Sequence, residues 1–154
     1  DAVVQLVSAT GKRDVPLVDF IKGYKSFDLR DDEFITQIRF KALDSKRHVA
    51  LYKISQRRDL DISCVNSSFV FQIDKGRVAE AKIAFGGVGP KTLRLTDVEK
   101  ALLNQSVDQK FVETARGLIE KNISPLSDVR GSAEFRKQIC QDLFTRFAKE
   151  HLSL

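Results

Sequence analysis

Apolar residues along this chain follow two rhythms. Up to about Phe85 they recur mainly at alternate positions, the period of strands; beyond Thr96 they recur at helical spacing. Ala2 to Val7 is predicted as a strand, followed by a turn at Thr10-Gly11-Lys12 and a short extended piece, Val15-Pro16-Leu17. Val18 to Ile21 makes about one helical turn, stopped by Gly23. Tyr24 to Arg30 reads as loop, and Asp31-Asp32-Glu33 introduces an alternating strand, Phe34 to Phe40. Lys41 to Arg47 is a polar connection expected to be mobile.

The second half of the strand region is a ribbon. Val49-Ala50-Leu51-Tyr52 ends in a charged loop, and a strand from Ile62 to Ile73 places Phe69, Phe71 and Ile73 on one face. Asp74-Lys75-Gly76-Arg77 is a hairpin turn signal. In the return strand, Val78 to Phe85, the expected apolar side is Ala79, Ala81, Ile83 and Phe85, with Glu80 and Lys82 opposite. Gly86-Gly87-Val88-Gly89-Pro90 matches no phosphate-loop spacing and predicts a tight bend or close backbone crossing.

Three helices follow. Thr96 and Glu99 have the spacing of a capping box opening a helix through Leu103. A second helix, Asp108 to Lys121, carries Phe111, Val112, Ala115, Leu118 and Ile119 on one face. Ile123 to Asp128 is an extended linker. The last helix, Ser132 to Glu150, has a wide stripe of Phe135, Ile139, Cys140, Leu143, Phe144 and Phe147, which must pack on the ribbon's apolar face. An antiparallel sheet with helices packed on one face is an α+β fold.

Composition narrows the function. At 154 residues and 42% hydrophobic content, the chain suffices for one core or two small lobes. A net charge of +5, with bases interleaved among acids and no aromatic-and-basic stripe, argues against nucleic acid as a partner. Cys64 and Cys140 form no CxxC and read as buried thiols of a reducing compartment. His48 and His151 lack metal-ligand spacing, no run is apolar enough to span a membrane, and cytoplasm is the expected location. The absence of methionine and the start at Asp1, directly into a strand, lead us to expect a piece of a longer polypeptide.

The stretch with chemical potential is Tyr52-Lys53-Ile54-Ser55-Gln56-Arg57-Arg58-Asp59-Leu60-Asp61-Ile62-Ser63. A loop anchored at both ends in a sheet can hold a cation against a flat, electron-accepting ligand, or can simply be a solvated connection between core strands. Asp59 and Asp61, two apart, could share a face, and a solvated loop explains them equally well. Composition and spacing stop at an α+β module with a basic loop.

A resemblance extends this reading. Lys53-x-Ser55-x-Arg57-x-x-x-Asp61-Ile62, then Ala84-Phe85-Gly86-Gly87-Val88, then Ser127-Asp128-x-Arg130-Gly131-Ser132-Ala133-Glu134-Phe135-Arg136 resemble the FAD domains of the molybdenum hydroxylase flavoproteins. These include xanthine dehydrogenase, aldehyde oxidase and carbon monoxide dehydrogenase. Asp19 to Lys25 and Asp32-Glu33-Phe34-Ile35-x-x-Ile38 match upstream in the same order, so the similarity covers nearly the whole chain. The wording from Lys53 to Ser63, with Pro125-Leu126-Ser127-Asp128, is nearest to bacterial xanthine dehydrogenases.

The resemblance implies the carboxy-terminal half of a FAD domain of the CO dehydrogenase flavoprotein C-terminal type. Residues 1–50 would end the FAD-binding lobe, and 51–154 would form the α+β domain. FAD would lie between this half and an amino-terminal lobe that supplies the glycine-rich pyrophosphate loops. Electrons from purine hydroxylation would pass from molybdopterin and 2Fe-2S clusters, in an iron–sulfur domain and a molybdopterin subunit, through FAD to NAD. Lys53 matches the lysine that approaches the flavin ring, where a fixed cation favours electron uptake. The backbone at Ile35 matches a strand lying along the flavin. Gln56 to Asp61, with Arg57 and Asp59, matches the loop that controls access by NAD, while Arg58 is suited to contact another domain. Glu134-Phe135-Arg136 and Gly86-Gly87 read as structural. Leu60 stands where vertebrate members usually carry an acid. The alternatives are an aldehyde or carbon monoxide oxidising enzyme of the same family, or a ligand-free docking module between subunits.

Overall fold

The computed structural model describes residues 1–59, 61–152 and 154, which form two compact units, Asp1–Asp44 and Ser45–Leu154. The first unit holds β1 (Ala2–Ser8), β2 (Gly11–Pro16), α1 (Leu17–Phe20), β3 (Ile21–Gly23), β4 (Ser26–Phe27) and β5 (Phe34–Phe40). Antiparallel pairing orders its main sheet β2-β1-β5, over a small core of Val4, Leu6, Val15 and Phe20. β3 and β4 form a two-stranded ribbon, with β3 following the expected helical turn and β4 inside the segment from Tyr24 to Arg30 expected to be loop. Arg13 braces the unit with hydrogen bonds to Asp28 and Glu33, which pull the Glu33 carboxyl down to about 2.

β5 departs from clean alternation. Gln37 opposes Gln5 while Ile35 opposes Leu6, so Thr36 is an extra residue, a bulge closed by Thr36 Oγ1 donating to the Gln5 carbonyl at 3.2 Å. All seven residues of β5 are exposed in this structure.

The second unit is a four-stranded antiparallel sheet in the order β6-β7-β8-β9, from β6 (Arg47–Ile54), β7 (Val65–Asp74), β8 (Arg77–Gly86) and β9 (Leu93–Arg94). The hairpin between β7 and β8 turns where expected, with positive φ at both Lys75 (49°) and Gly76 (74°). Two strand predictions are corrected. β7 begins at Val65, not Ile62, because Ile62 is bound into the loop by the Asp61 carboxylate and is exposed. In β8 Gln72 opposes Glu80 and Ile73 opposes Val78, so Ala79 is a bulge residue that turns outward while Val78 fills the core.

Three helices cover one face: α2 (Thr96–Leu102), α3 (Gln109–Lys121) and α4 (Ala133–His151). Asp108 and Ser132 cap α3 and α4, accepting from the Phe111 and Phe135 amides at 2.8 and 3.1 Å. The capping box at Thr96 does not form. Leu95 occupies the N-cap, and the Glu99 carboxylate turns inward to the sheet. α4 packs on the ribbon as its stripe requires, with Phe147 stacked on Phe69 at 5.0 Å between centroids, although Phe135 at the stripe's beginning stays 45% exposed. No described helix is long and apolar enough to cross a membrane.

Candidate functional site

Strand alternation decides which way Lys53 faces. Ala50, Tyr52 and Ile54 pack into the core beneath the helices, so Leu51 and Lys53 take the open face of the sheet, both exposed. Opposite Lys53 on β7 is Asn66, and opposite Asn66 on β8 is Gly86. A methyl group at Gly86 would sit 2.6 Å from Asn66 Oδ1, so the glycine is what lets the carboxamide lie across the strand. Sequence reasoning missed Asn66; its signal was the outward phase of the β7 alternation.

The loop after β6 is folded back on itself. Lys53 Nζ donates to the Asp61 carbonyl at 2.7 Å. The Asp61 carboxylate accepts from the Arg57 amide at 2.9 Å and the Ile62 amide at 3.0 Å, and it pairs with the Arg57 guanidinium at 3.5 Å. These bonds, led by that of the Arg57 amide, hold the Asp61 carboxyl below its ordinary range. Ser55 Oγ closes the turn by donating to the Arg57 carbonyl at 2.7 Å. Gln56 reaches away, its Nε2 donating to the carbonyls of Val129 and Arg130.

Lys53, Arg57 and Asp61 are thus brought together at one end of the sheet, Lys53 and Arg57 exposed and Asp61 half-buried. Asp59 and Arg58 lie in the same loop, exposed, and Leu60 lies outside the described residues. Ile35 belongs to the first unit, on β5 opposite Leu6, and is 45% exposed. Two cations at the end of an open sheet face, beside a carboxamide, can stabilise negative charge spread over a planar ligand. No group of His, Cys, Asp or Glu suited to a metal occurs among the described residues, and Cys64 and Cys140 are free, buried thiols.

Sequence reasoning also missed a buried cation near this loop. Arg136, read as part of a helix start, is buried, paired with Asp128 and bonded to the carbonyl of Cys64.

Residues 50–151 match the CO dehydrogenase flavoprotein C-terminal domain. The chain is 31% identical over 150 residues to the glyceraldehyde dehydrogenase medium chain of Sulfolobus acidocaldarius, covering 97% of this chain and 53% of that protein. It is 28% identical over 152 residues to the xanthine dehydrogenase FAD-binding subunit of Escherichia coli O157:H7, covering 97% and 52%. Its structure superposes on a chain of carbon monoxide dehydrogenase from Hydrogenophaga pseudoflava with a TM-score of 0.88 at 25% identity, covering 95% of this chain and 50% of that one.

Fold and matches define an α+β module of the flavoprotein class. The chain belongs to the CO dehydrogenase flavoprotein C-terminal domain family. It spans about half the length of the first two of these relatives.

Proposed function

We propose that this chain is the carboxy-terminal half of the FAD domain of a xanthine dehydrogenase, a cytoplasmic enzyme. Electrons from the molybdenum and iron–sulfur centres would leave it for NAD. The observation that carries this reading is Lys53 on the open sheet face, its ammonium tethered to the Asp61 carbonyl at the head of a basic loop. The residues present fit a flavin: a fixed cation and a neighbouring carboxamide on an open sheet face suit a flat ring that gains negative charge when reduced.

FAD, when bound, supplies the two-electron chemistry. Lys53 would bias the ring toward electron uptake. Arg57 and Asp59 would set the charge that an incoming nicotinamide nucleotide meets. An amino-terminal lobe, an iron–sulfur domain and a molybdopterin subunit complete the electron path. Similarity to the xanthine dehydrogenase FAD-binding subunit supports purine hydroxylation. Similarity to the glyceraldehyde dehydrogenase medium chain favours a second reading, an aldehyde-oxidising enzyme with the same flavin site.

The test is the purified holoenzyme. A visible flavin spectrum with turnover of xanthine and NAD is expected, set against an aldehyde and carbon monoxide as rival substrates. Lys53→Gln should lower the flavin potential and slow its reduction by about tenfold or more. A colourless wild-type complex would favour the docking module instead.

A further inference from the structure

The Arg136 side chain is 4% exposed and lies where four backbone stretches meet. Nη1 donates to the carbonyls of Cys64 and, at 2.9 Å, Gly87; Nη2 donates to Asp128 Oδ1 at 2.6 Å; Nε reaches the Gly131 carbonyl at 3.5 Å. A buried cation needs a counter-charge and a full set of acceptors, and here Asp128 supplies the charge and three carbonyls supply the rest.

Asp128 also shapes the turn it stands in. Its amide donates to the Gly131 carbonyl at 3.1 Å, the Gly131 amide returns to the Asp128 carbonyl at 3.2 Å, and its carboxylate takes the Arg130 amide at 2.8 Å. The turn so formed presents the Val129 and Arg130 carbonyls to Gln56 Nε2 at 3.2 and 3.4 Å. Cys64, whose carbonyl Arg136 holds, donates its amide to Ile54 at 2.8 Å and closes the loop at its base. The basic loop is therefore gripped twice from one centre: at its exit through Cys64, and near its start through Gln56 on a turn that Arg136 braces.

We propose that Arg136 and Asp128 are positioning residues for the loop at 55–63, setting how Arg57 and Asp59 are presented to the electron acceptor. This rests on the reading that the loop borders the flavin, and it adds residues on the far side of the sheet's end to that site. Neither residue need touch the flavin or the nucleotide. Their effect passes through the backbone of the loop, so it should appear in the acceptor step and in the loop's own opening.

Limited trypsin digestion of the holoenzyme reads the loop without reference to activity, since Arg57 and Arg58 lie in it and cleavage requires local opening. Asp128→Asn withdraws the charge from Arg136, and Gln56→Ala removes only the tether to the turn. Each should raise cleavage after Arg57 or Arg58 by about threefold or more. Glu80→Gln, which weakens ion pairs with Arg47 and Lys82 elsewhere on the sheet, should leave cleavage there unchanged.

In Asp128→Asn, reduction of the bound flavin by NADH, followed by its visible absorbance, should slow by about threefold or more while reduction by dithionite stays at the wild-type rate. If both variants lower the thermal midpoint yet leave cleavage and NADH reduction at wild-type values, Arg136 is a structural clamp and the proposal falls. Wild-type protein without flavin, or with flavin that NADH does not reduce, overturns the reading of the site instead. The cleavage arm then still decides whether Arg136 and Asp128 position the loop.

Discussion

The Glu99 carboxylate, one turn into α2, accepts a 2.7 Å hydrogen bond from the backbone amide of Ile83 in the middle of β8. The same carboxylate is paired through both oxygens with Arg94, at 2.9 Å for the Nη2 contact. It therefore ties helix to sheet at a point where β8 meets the short β9 strand. Glu99→Ala leaves the Ile83 amide and Arg94 without this acceptor and should cost about 3 kcal/mol, whereas Glu99→Gln keeps an acceptor for Ile83 and should cost about 1 kcal/mol. Urea midpoints at unchanged slope would check both values.

That same glutamate marks where sequence reasoning ran out. A capping box is a local pattern, and Thr96 with Glu99 satisfies it; the amide of Ile83, sixteen positions away, outcompetes it. The bulges at Thr36 and Ala79 were hidden for a related reason, since an extra residue shows only when two strands are set in register. What depended on period alone was legible: the ribbon and the faces of α3 and α4. Asp108 and Ser132 were legible as helix starts because their acceptor oxygens serve amides within the same turn. Arg136 was not, because an arginine near a helix start is normally solvated, and the two distant carbonyls of Cys64 and Gly87, with the Asp128 carboxylate, are what make its burial possible.

Phe69 is the centre of the core. Its ring meets Phe85 at 5.6 Å, Phe144 at 5.8 Å and Phe147 at 5.0 Å between centroids, and it is wholly buried. Phe69→Ala should cost roughly 4 kcal/mol, from lost burial plus a cavity that neighbouring rings fill only in part. Phe69→Leu keeps most of the volume and should cost under about 2 kcal/mol. Because β7, β8 and α4 share this contact, unfolding of the second unit should stay cooperative in the leucine variant.

Stability should fall on the alkaline side. Burial pushes the Cys140 thiol from 9.0 up to about 12, and burial with the hydrogen bond to Glu150 pushes the Tyr52 hydroxyl from 10.0 up to about 12. Between those values the unfolded chain has released protons that the folded chain still holds, so this contribution is complete below about pH 9 and is lost as pH rises toward about 12. Urea midpoints measured across that range should decline less steeply in a protein carrying Tyr52→Phe and Cys140→Ala. The native thiol of Cys140 should also resist alkylation at about pH 8, reacting only after unfolding.

Two glycines with similar backbone angles separate strain from collision. Gly76, at φ +74°, has open space where a Cβ would stand; Gly87, at φ +82°, has the Cys64 carbonyl there, with Arg136 Nη1 3.1 Å away. Gly76→Ala therefore carries only the left-handed penalty, roughly 1 kcal/mol. Gly87→Ala adds a clash that must push the Cys64 carbonyl off the Arg136 guanidinium, for a total of roughly 3 kcal/mol. The two variants should differ in kind as well as size. Gly87→Ala should open the loop at Arg57 and Arg58 to trypsin, while Gly76→Ala, at the far end of the hairpin, should lower the unfolding midpoint and leave that loop closed.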